Sequence, residues 1–513
     1  MSDQVTLRLE PLGQTIAVER GTSLRSVLHG YGVEFPCGGR GRCARCRIRH
    51  VGGSLPVTDA QLEILTPGEL AQGWRLACRC TAETDATLEI DQWETVILAD
   101  HSSFEFAPRP GLGIAVDLGT TTIVGQLLDR SSGRVLAVRT RVNPQAVHGS
   151  DIMSRIQVAI EGRQAELTDE LRRAVGALCS RLITSAKLDS TATLDTVVIV
   201  GNTVMHHLFC GIDLAPLAHA PFEPVDDGLH RFRAAELEWT LGGNPLVCFL
   251  PCLGGFVGSD VLAGVLATNM LRSTTAAVLV DLGTNGEIVV GNCERMLCAS
   301  TAAGPAFEAG RISMGMLATT GAISEVTVED GRLRPWVIGN VAPRGICGSG
   351  LVDAVAAGLD LGLIEPSGRL ANGGAPLELA PQIAVTQNDI RQLQLAKAAI
   401  ASGMWLLRQR FGLEERDRVP IYLAGAFGNY INRANARRIG LIDAPEDSIQ
   451  PAGNTALVGA KMALFASDPD ENSFDSVRQR IKHLPLASDT AFHEAYVDEL
   501  GFPTHRTGVS RSN

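Results

Sequence analysis

No apolar run in the 513 residues approaches the roughly 20 needed to span a bilayer. The opening MSDQVTLRLE lacks a basic stretch followed by an apolar one, so no secretory signal is expected. Cysteines number 12, too few in a chain of this length for a dense disulfide framework, which suits a reducing, cytoplasmic setting. Positive charge is not in excess either. Lys and Arg total 45 against 56 Asp and Glu, and the net charge of −11 argues against a general nucleic-acid binder. What is present, 45% hydrophobic and 20% charged residues, is the composition of an ordinary globular protein, long enough for three or four domains.

Five of the 12 cysteines fall within the first 80 residues. Cys37, Cys43 and Cys46 stand in PCGGRGRCARCRI, and Cys78 follows after 31 intervening residues in RLACRC. A 2Fe–2S cluster needs two thiolates per iron, and this spacing lets one loop supply three while a distant strand supplies the fourth. Gly38, Gly39 and Gly41 free the loop backbone to approach the inorganic sulfides. A structural zinc site built on Cys43, Cys46, Cys78 and Cys80 is the competing reading, but it leaves Cys37 and its glycines without a role. Arg40, Arg42, Arg45, Arg47 and Arg49 line the loop, and Arg75 and Arg79 flank the fourth cysteine. They either offset the negative cluster or form a basic docking face for an acidic redox partner.

Around the cysteines, VTLRLEPLGQTIAVE predicts a hairpin, and Thr22 or Ser23 can cap a short helix through SLRSVLHGYG. ARCRIRHV reads as a strand, TDAQLEILTPGELAQG as helical, and RLACRC with ATLEI as closing strands. Residues 1–98 resemble the plant and adrenodoxin-type ferredoxins, an α+β β-grasp fold; the resemblance makes Cys78 the fourth ligand and leaves Cys80 surplus. Residues 99–112, polar and proline-punctuated, have the composition of a linker.

Beyond it, GIAVDLGTTTIVGQLLDRSSGRVLAV predicts strand, tight turn, strand, turn, strand. The plan recurs at AAVLVDLGTNGEIVVGNCERMLCAS, with Asp281 standing 164 residues after Asp117. Turns of Gly119, Thr120 and Thr121, and of Gly283, Thr284 and Asn285, present N–H groups and hydroxyls to an anion such as a nucleotide's phosphates. An Asp at each strand end can hold Mg²⁺ through the ion's waters. A third segment, RVPIYLAGAFGNYIN, predicts a buried strand and a small-residue turn at Gly425, Ala426, Phe427 and Gly428 on which a base or ribose can lie. Together these resemble the phosphate and adenosine motifs of the acetate kinase, sugar kinase, Hsp70 and actin superfamily. The likeness implies a duplicated α/β ribonuclease-H-like core around an ATP cleft, divided here as 113–270 (with a middle segment) and 271–465.

Other glycine-rich stretches, 254–264 and 300–316, read as strand-to-helix loops, and RGICGSGLVDAVAA opens a helix. Such helix starts either touch phosphate or only allow close packing. Asp260, Glu287 and Glu308 are candidates for the carboxylate that orients water, Glu287 being taken with Asp117 and Asp281 as the catalytic set. His206 and His207 are adjacent, which favours core positions over metal ligation. The tail, 466–513, predicts one or two packed helices and a polar end.

The order ferredoxin, linker, middle segment and ATPase, with DLGTT, DLGTNGE, AGPAFEAG and GICGSG, resembles the reductive activators of corrinoid-dependent methyltransferases. AGPAFEAG departs from that family's AGPAFEG by one residue. The resemblance implies an ATP-dependent one-electron reductase that returns a corrinoid protein from Co(II) to Co(I), served by an unidentified electron donor and acting as a homodimer. A plant-type cluster lies near about −400 mV. The family's cobalt couple is lower, and each ~59 mV of mismatch costs tenfold in equilibrium constant, so ATP must drive the transfer. Two alternatives stay open. One is an activator like that of 2-hydroxyacyl-CoA dehydratases, with Cys298 and Cys347 as bridging ligands; the other is a small-molecule kinase carrying a redox-sensing ferredoxin domain.

Overall fold

The computed structural model describes residues 4–10, 14–28, 46–71, 73–89, 106–149, 151–186, 188, 193–283, 285–316, 318, 321–338, 342–414, 416–428, 431–466 and 471–504. The expected N-terminal hairpin forms from strands Gln4–Glu10 and Gln14–Glu19. Alternation buries Val5, Leu7 and Leu9 on one face. The five-stranded sheet continues through Ala86–Glu89, Arg47–Gly53 and Trp74–Leu76. Its first pairing is parallel, between Gln4–Glu10 and Ala86–Glu89. Pro67 divides the expected helical stretch into two short helices, Asp59–Leu62 and Pro67–Ala71, because its ring cannot continue the first. Thr22 and Ser23 form a short strand that runs directly into helix Leu24–Leu28, with Ser23 at the position before its first residue.

Two six-stranded sheets carry the rest. In the first, Val135–Val142, Thr122–Asp129 and Leu112–Leu118 make an antiparallel meander. Leu112–Leu118 then pairs in parallel with Leu194–Val200, and Leu246–Phe249 and His230–Arg233 complete the sheet. In the second, Met296–Thr301, Gly286–Gly291 and Ala277–Leu282 repeat the meander, and Ile421–Ala424 takes the parallel place. Ile449–Gly453 lies beyond it, and Ile481–His483 forms the far edge. The repeat seen in DLGT is therefore a repeat of sheet order. Mixed sheets with helices on both faces give the duplicated α/β core expected.

Between the sheets lie helices Ser259–Ala267 and Thr455–Leu464. They cross so closely that a Cβ on Gly459 would stand 2.2 Å from the Ala263 carbonyl. The apolar layer around them draws Ala115, Val198 and Val200 from the first sheet and Leu279 and Val289 from the second. The cleft thus has a floor shared by both halves. Outside, helix Gln387–Phe411 begins in a capping box of Thr386 and Asp389 and ends at Gly412, φ 95°.

The tail is docked. Helix Thr490–Asp498 leads to Leu500, whose carbonyl accepts from Gln394 Nε2 at 2.7 Å, and Phe502 N donates to Pro366 at 2.7 Å. Fully buried Lys397 meets Glu499 at 3.4 Å.

Candidate active site

Both halves end their central strand in an aspartate at the cleft, Asp117 and Asp281, before a Gly-Thr turn. The first turn is held from three sides. Asn143 Nδ2 donates to the Gly119 carbonyl (2.9 Å), Asn202 Nδ2 to Thr120 Oγ1 (2.8 Å), and buried Arg155 donates to the Thr120 carbonyl. Asn143 and Asn202 also cap the helical turns that follow them. Asn202 follows Leu194–Val200, the strand corresponding to Ile421–Ala424, so it is the first half's counterpart of the LAGAFG turn. These clamps were not legible in sequence; an Asn in VIVGNT signals a cap but not what its amide reaches.

Glu308 connects the two turns. Thr121 Oγ1 donates to its Oε2 at 3.1 Å, and its Oε1 stands 3.8 Å from where a Cβ on Gly283 would lie. The stretch 300–316 was expected to lead into a helix. It forms only the 3-10 turn Pro305–Glu308, and Ala309 and Arg311 both take φ 58°. Ala309 N instead donates to the Ala306 carbonyl and Gly310 N to the Pro305 carbonyl, which turns the chain back on itself. Arg311 then meets Asp151 across the cleft at 3.3 Å.

Asp260, Glu287 and the two strand-end aspartates crowd the floor. Burial first, with Asn454 Nδ2 donating to it at 2.8 Å as a counterweight, pushes Asp117 up to about 6. Burial, then the charges of Asp117 and Glu308, pushes Asp281 up to about 7. Burial, then Asp281 and Asp117, takes Asp260 to about 8. Glu287 rises well above the carboxylate range through burial and the charges of Asp260 and Asp281, although Ser300 Oγ donates to it at 3.2 Å. Asp117 and Asp281 raise Asp260, and Asp260 and Asp281 raise Glu287, the condition a divalent cation relieves. Among the described residues the ligand atoms within 4.8 Å of one another are those of His148, Glu166 and Glu170, away from this floor. No three of the described cleft acids bring ligand atoms within that distance of one another, which suits an ion that keeps its waters.

The LAGAFG turn adjoins this floor. Gly425 takes φ +84°, and a Cβ there would fall 2.7 Å from both Asp281 Oδ1 and the Leu282 carbonyl. Its smallness thus serves the approach of the neighbouring strand end. Phe427 stacks on Phe307, ring centroids 4.8 Å apart, so the adenosine-like turn packs on the Glu308 segment. Gly428 backs onto Leu423, and the backbone of Ala426 lies in the same turn. Asn285 closes the second turn, its carbonyl accepting from Gly283 N at 3.0 Å. Thr284 lies outside the described residues.

Of the cluster cysteines, Cys46 and Cys78 are described; Cys37 and Cys43, with Arg40, Arg42 and Arg45, fall outside. Cys46 opens strand Arg47–Gly53, and Cys78 sits in the 3-10 turn Ala77–Arg79. Ala77 N donates to the Cys46 carbonyl at 2.7 Å, which brings the two positions side by side as a shared cluster requires. Cys80 is buried, receives a weak bond from Gln61, and is pushed up to about 12, chiefly by burial: an inert thiol. Cys298 and Cys347 are buried in the second half, Cys347 bonded to the Ile323 carbonyl, so neither is exposed for a bridging cluster.

Residues 7–83 match the model of the 2Fe–2S iron–sulfur cluster binding domain. Residues 112–273 match the RACo middle region, and 275–512 the C-terminal domain of RACo, the ASKHA domain. The chain is 35% identical over 437 residues, 78% of its length and 73% of the relative's, to the corrinoid activation enzyme RamQ of Eubacterium limosum. It belongs to the reductive activators of corrinoid proteins. A [Co(II) methylated amine-specific corrinoid protein] reductase of Methanosarcina barkeri is 29% identical to this activator over 426 residues, 76% of the chain and 77% of the relative. A solved reductive activator for a corrinoid, iron–sulfur protein superposes with a TM-score of 0.69 at 26% identity, covering 97% of this chain and 98% of that one. The activator thus joins a 2Fe–2S ferredoxin domain to an ASKHA core. Among its described residues no helix is long and apolar enough to cross a membrane.

Proposed function

We propose that the chain returns one electron to the cobalt of a corrinoid protein, taking Co(II) to Co(I), and that ATP turnover in the cleft drives the transfer. The observation that carries the second part is the pair of Gly-Thr turns facing each other across Glu308 above a floor of mutually repelling carboxyls. That arrangement is built to receive anions above and a cation below. Asp117 and Asp281 would hold a hydrated Mg²⁺, and the Gly119–Thr121 and Gly283–Asn285 turns the phosphates. Glu287, opposite Asp281 on the neighbouring strand, is assigned the proton of the attacking water once a bound cation has lowered its raised proton affinity.

The 2Fe–2S cluster on Cys37, Cys43, Cys46 and Cys78 would supply the one-electron donor. The protein's part is to seat that donor domain and to make its approach to the corrinoid partner depend on the nucleotide. A ligand shifts such an equilibrium only through different affinity for the two arrangements. Rearranging the Thr121–Glu308 contact provides that difference.

The test is anaerobic: reduced protein, ATP, Mg²⁺ and a Co(II) corrinoid protein are mixed and the Co(I) spectrum is followed. ATP-dependent Co(I) is expected. Its absence with every corrinoid protein encoded by the same genome would overturn the proposal.

A further inference from the structure

Glu69 lies on helix Pro67–Ala71 of the ferredoxin domain, and its carboxylate takes two arginines at once. One is Arg47, the residue after cluster ligand Cys46; the other is Arg344 of the ATPase core, at 2.6 Å. All three side chains are largely withdrawn from solvent, with 14% (Glu69), 14% (Arg47) and 12% (Arg344) exposed, so this is not a loose surface pair. Arg47 also lies over the Trp74 ring, 5.3 Å from its centroid.

Arg344 adjoins the Glu308 segment. It immediately precedes strand Gly345–Ile346. Ile346 N donates to the Met314 carbonyl (2.8 Å), and Met316 N donates to the Ile346 carbonyl (2.9 Å). Met314 lies just past Ala309 and Arg311, both in a backbone conformation that side-chain-bearing residues rarely adopt. At the head of the segment Glu308 accepts the Thr121 hydroxyl between the two Gly-Thr turns. A phosphate arriving there competes for that hydroxyl and repels the carboxylate.

We infer that Glu69 and Arg344 are positioning residues that seat the ferredoxin domain on the ATPase in register with segment 304–316, so that displacement of Glu308 by nucleotide phosphate is felt at the strand bearing Cys46. The inference rests on the ATP reading above. Glu308 is the element with two arrangements: bonded to Thr121, or displaced with its strained successors relaxed. The pairing of 314–316 with 346 carries the movement to Arg344, and Glu69 passes it to Arg47. Neither Glu69 nor Arg344 is among the residues assigned above to nucleotide or cluster.

Hydrogen–deuterium exchange on the full-length, cluster-loaded protein tests this without depending on electron delivery. A nonhydrolysable ATP analogue with Mg²⁺ should change exchange over 66–76 and 342–348 in the wild type. In E69Q and R344Q, exchange at 66–71 should be about tenfold faster without analogue, the scale of one lost charged hydrogen bond. It should no longer respond to the analogue, while analogue affinity stays within about threefold of wild type. R344K should keep part of the response. E69Q lies on a short surface helix and guards against a folding defect in R344Q. An undiminished response in both variants overturns the relay and leaves the ATP reading intact. Failure of the wild type to bind the analogue overturns the ATP reading itself, and the relay with it.

Discussion

At single-residue scale, the acids of the cleft floor carry the proposed cation site. Burial disfavours the negative charge of both Asp117 and Asp281, and at Asp281 the charges of Asp117 and Glu308 add to it, a cost that folding alone does not require. Asp117→Asn or Asp281→Asn should therefore lower ATP turnover by about 100-fold or more. In EDTA the same variants should melt at or above the wild-type temperature, because a neutral isostere removes repulsion. Turnover assays and thermal melts read the two effects separately; a lower melting temperature in EDTA would mean the charges are already compensated. His206 and His207 give a pH signature of the opposite kind. Both are fully buried, and burial, reinforced at His206 by its histidine neighbours, pushes it down to about 3; burial pushes His207 down to about 4. The unfolded chain binds protons near pH 6.5 and the folded one does not. Their contribution is thus complete above that pH and lost as pH falls from about 6.5 toward 4 and 3. The raised carboxyls of the cleft floor act oppositely over the same window, so the histidines are read by difference: the melting temperature of His206→Gln relative to wild type should rise as pH falls from about 6.5 to 4, and a constant difference would place the acid sensitivity elsewhere.

At the scale of elements, legibility followed the range of the interaction. The DLGT turns, the hairpin of residues 4–19 and the strand before LAGAFG could all be read because glycine, threonine and alternating apolar residues act locally. Glu308 between the two turns could not, since its partner Thr121 lies 187 residues away. Arg155 and Asn202 were missed for the same reason: a helix interior and a cap look alike whatever they touch. The 300–316 stretch misled because Gly304 and Pro305 resemble a helix start, whereas Ala309 and Arg311 turn the chain back. Gly425 was read as room for a base, and its geometry adds a stricter demand from Asp281 and Leu282. Gly425→Val should cost about 1–3 kcal/mol of stability, seen in denaturant titration, and should also weaken nucleotide binding, seen by calorimetry. Loss of stability with unchanged affinity would confine this turn to a packing role.

For the whole molecule, the family, its 2Fe–2S domain and its ASKHA core were recoverable from motif order, but how the domains meet was not. The Glu69–Arg344 contact joins residues 275 apart in sequence, with no local pattern to announce it. Arg47 is taken up by Glu69, while Arg42 and Arg45 keep both readings, counter-charge for the cluster or docking face for a partner. Arg42→Glu with Arg45→Glu should slow electron delivery to the corrinoid protein steeply at low salt and less at high salt, in stopped-flow traces. Equal rates at all ionic strengths would reduce these arginines to counter-charges for the cluster.

Helix Thr455–Leu464 covers the inner face of a sheet whose strands begin at Leu112. Its final carbonyl takes Arg130 Nε at 3.1 Å, and the next takes Arg109 Nε at 3.0 Å. During synthesis the first half therefore leaves the ribosome with Ala115, Val124, Leu128, Val198 and Val200 uncovered. They stay so until Thr455–Leu464 is made, 255 residues beyond Val200 and 340 beyond Ala115. At about 5–20 residues per second that is an exposure of tens of seconds. The nascent chain should accordingly be a chaperone client whose release awaits its own C-terminal helices.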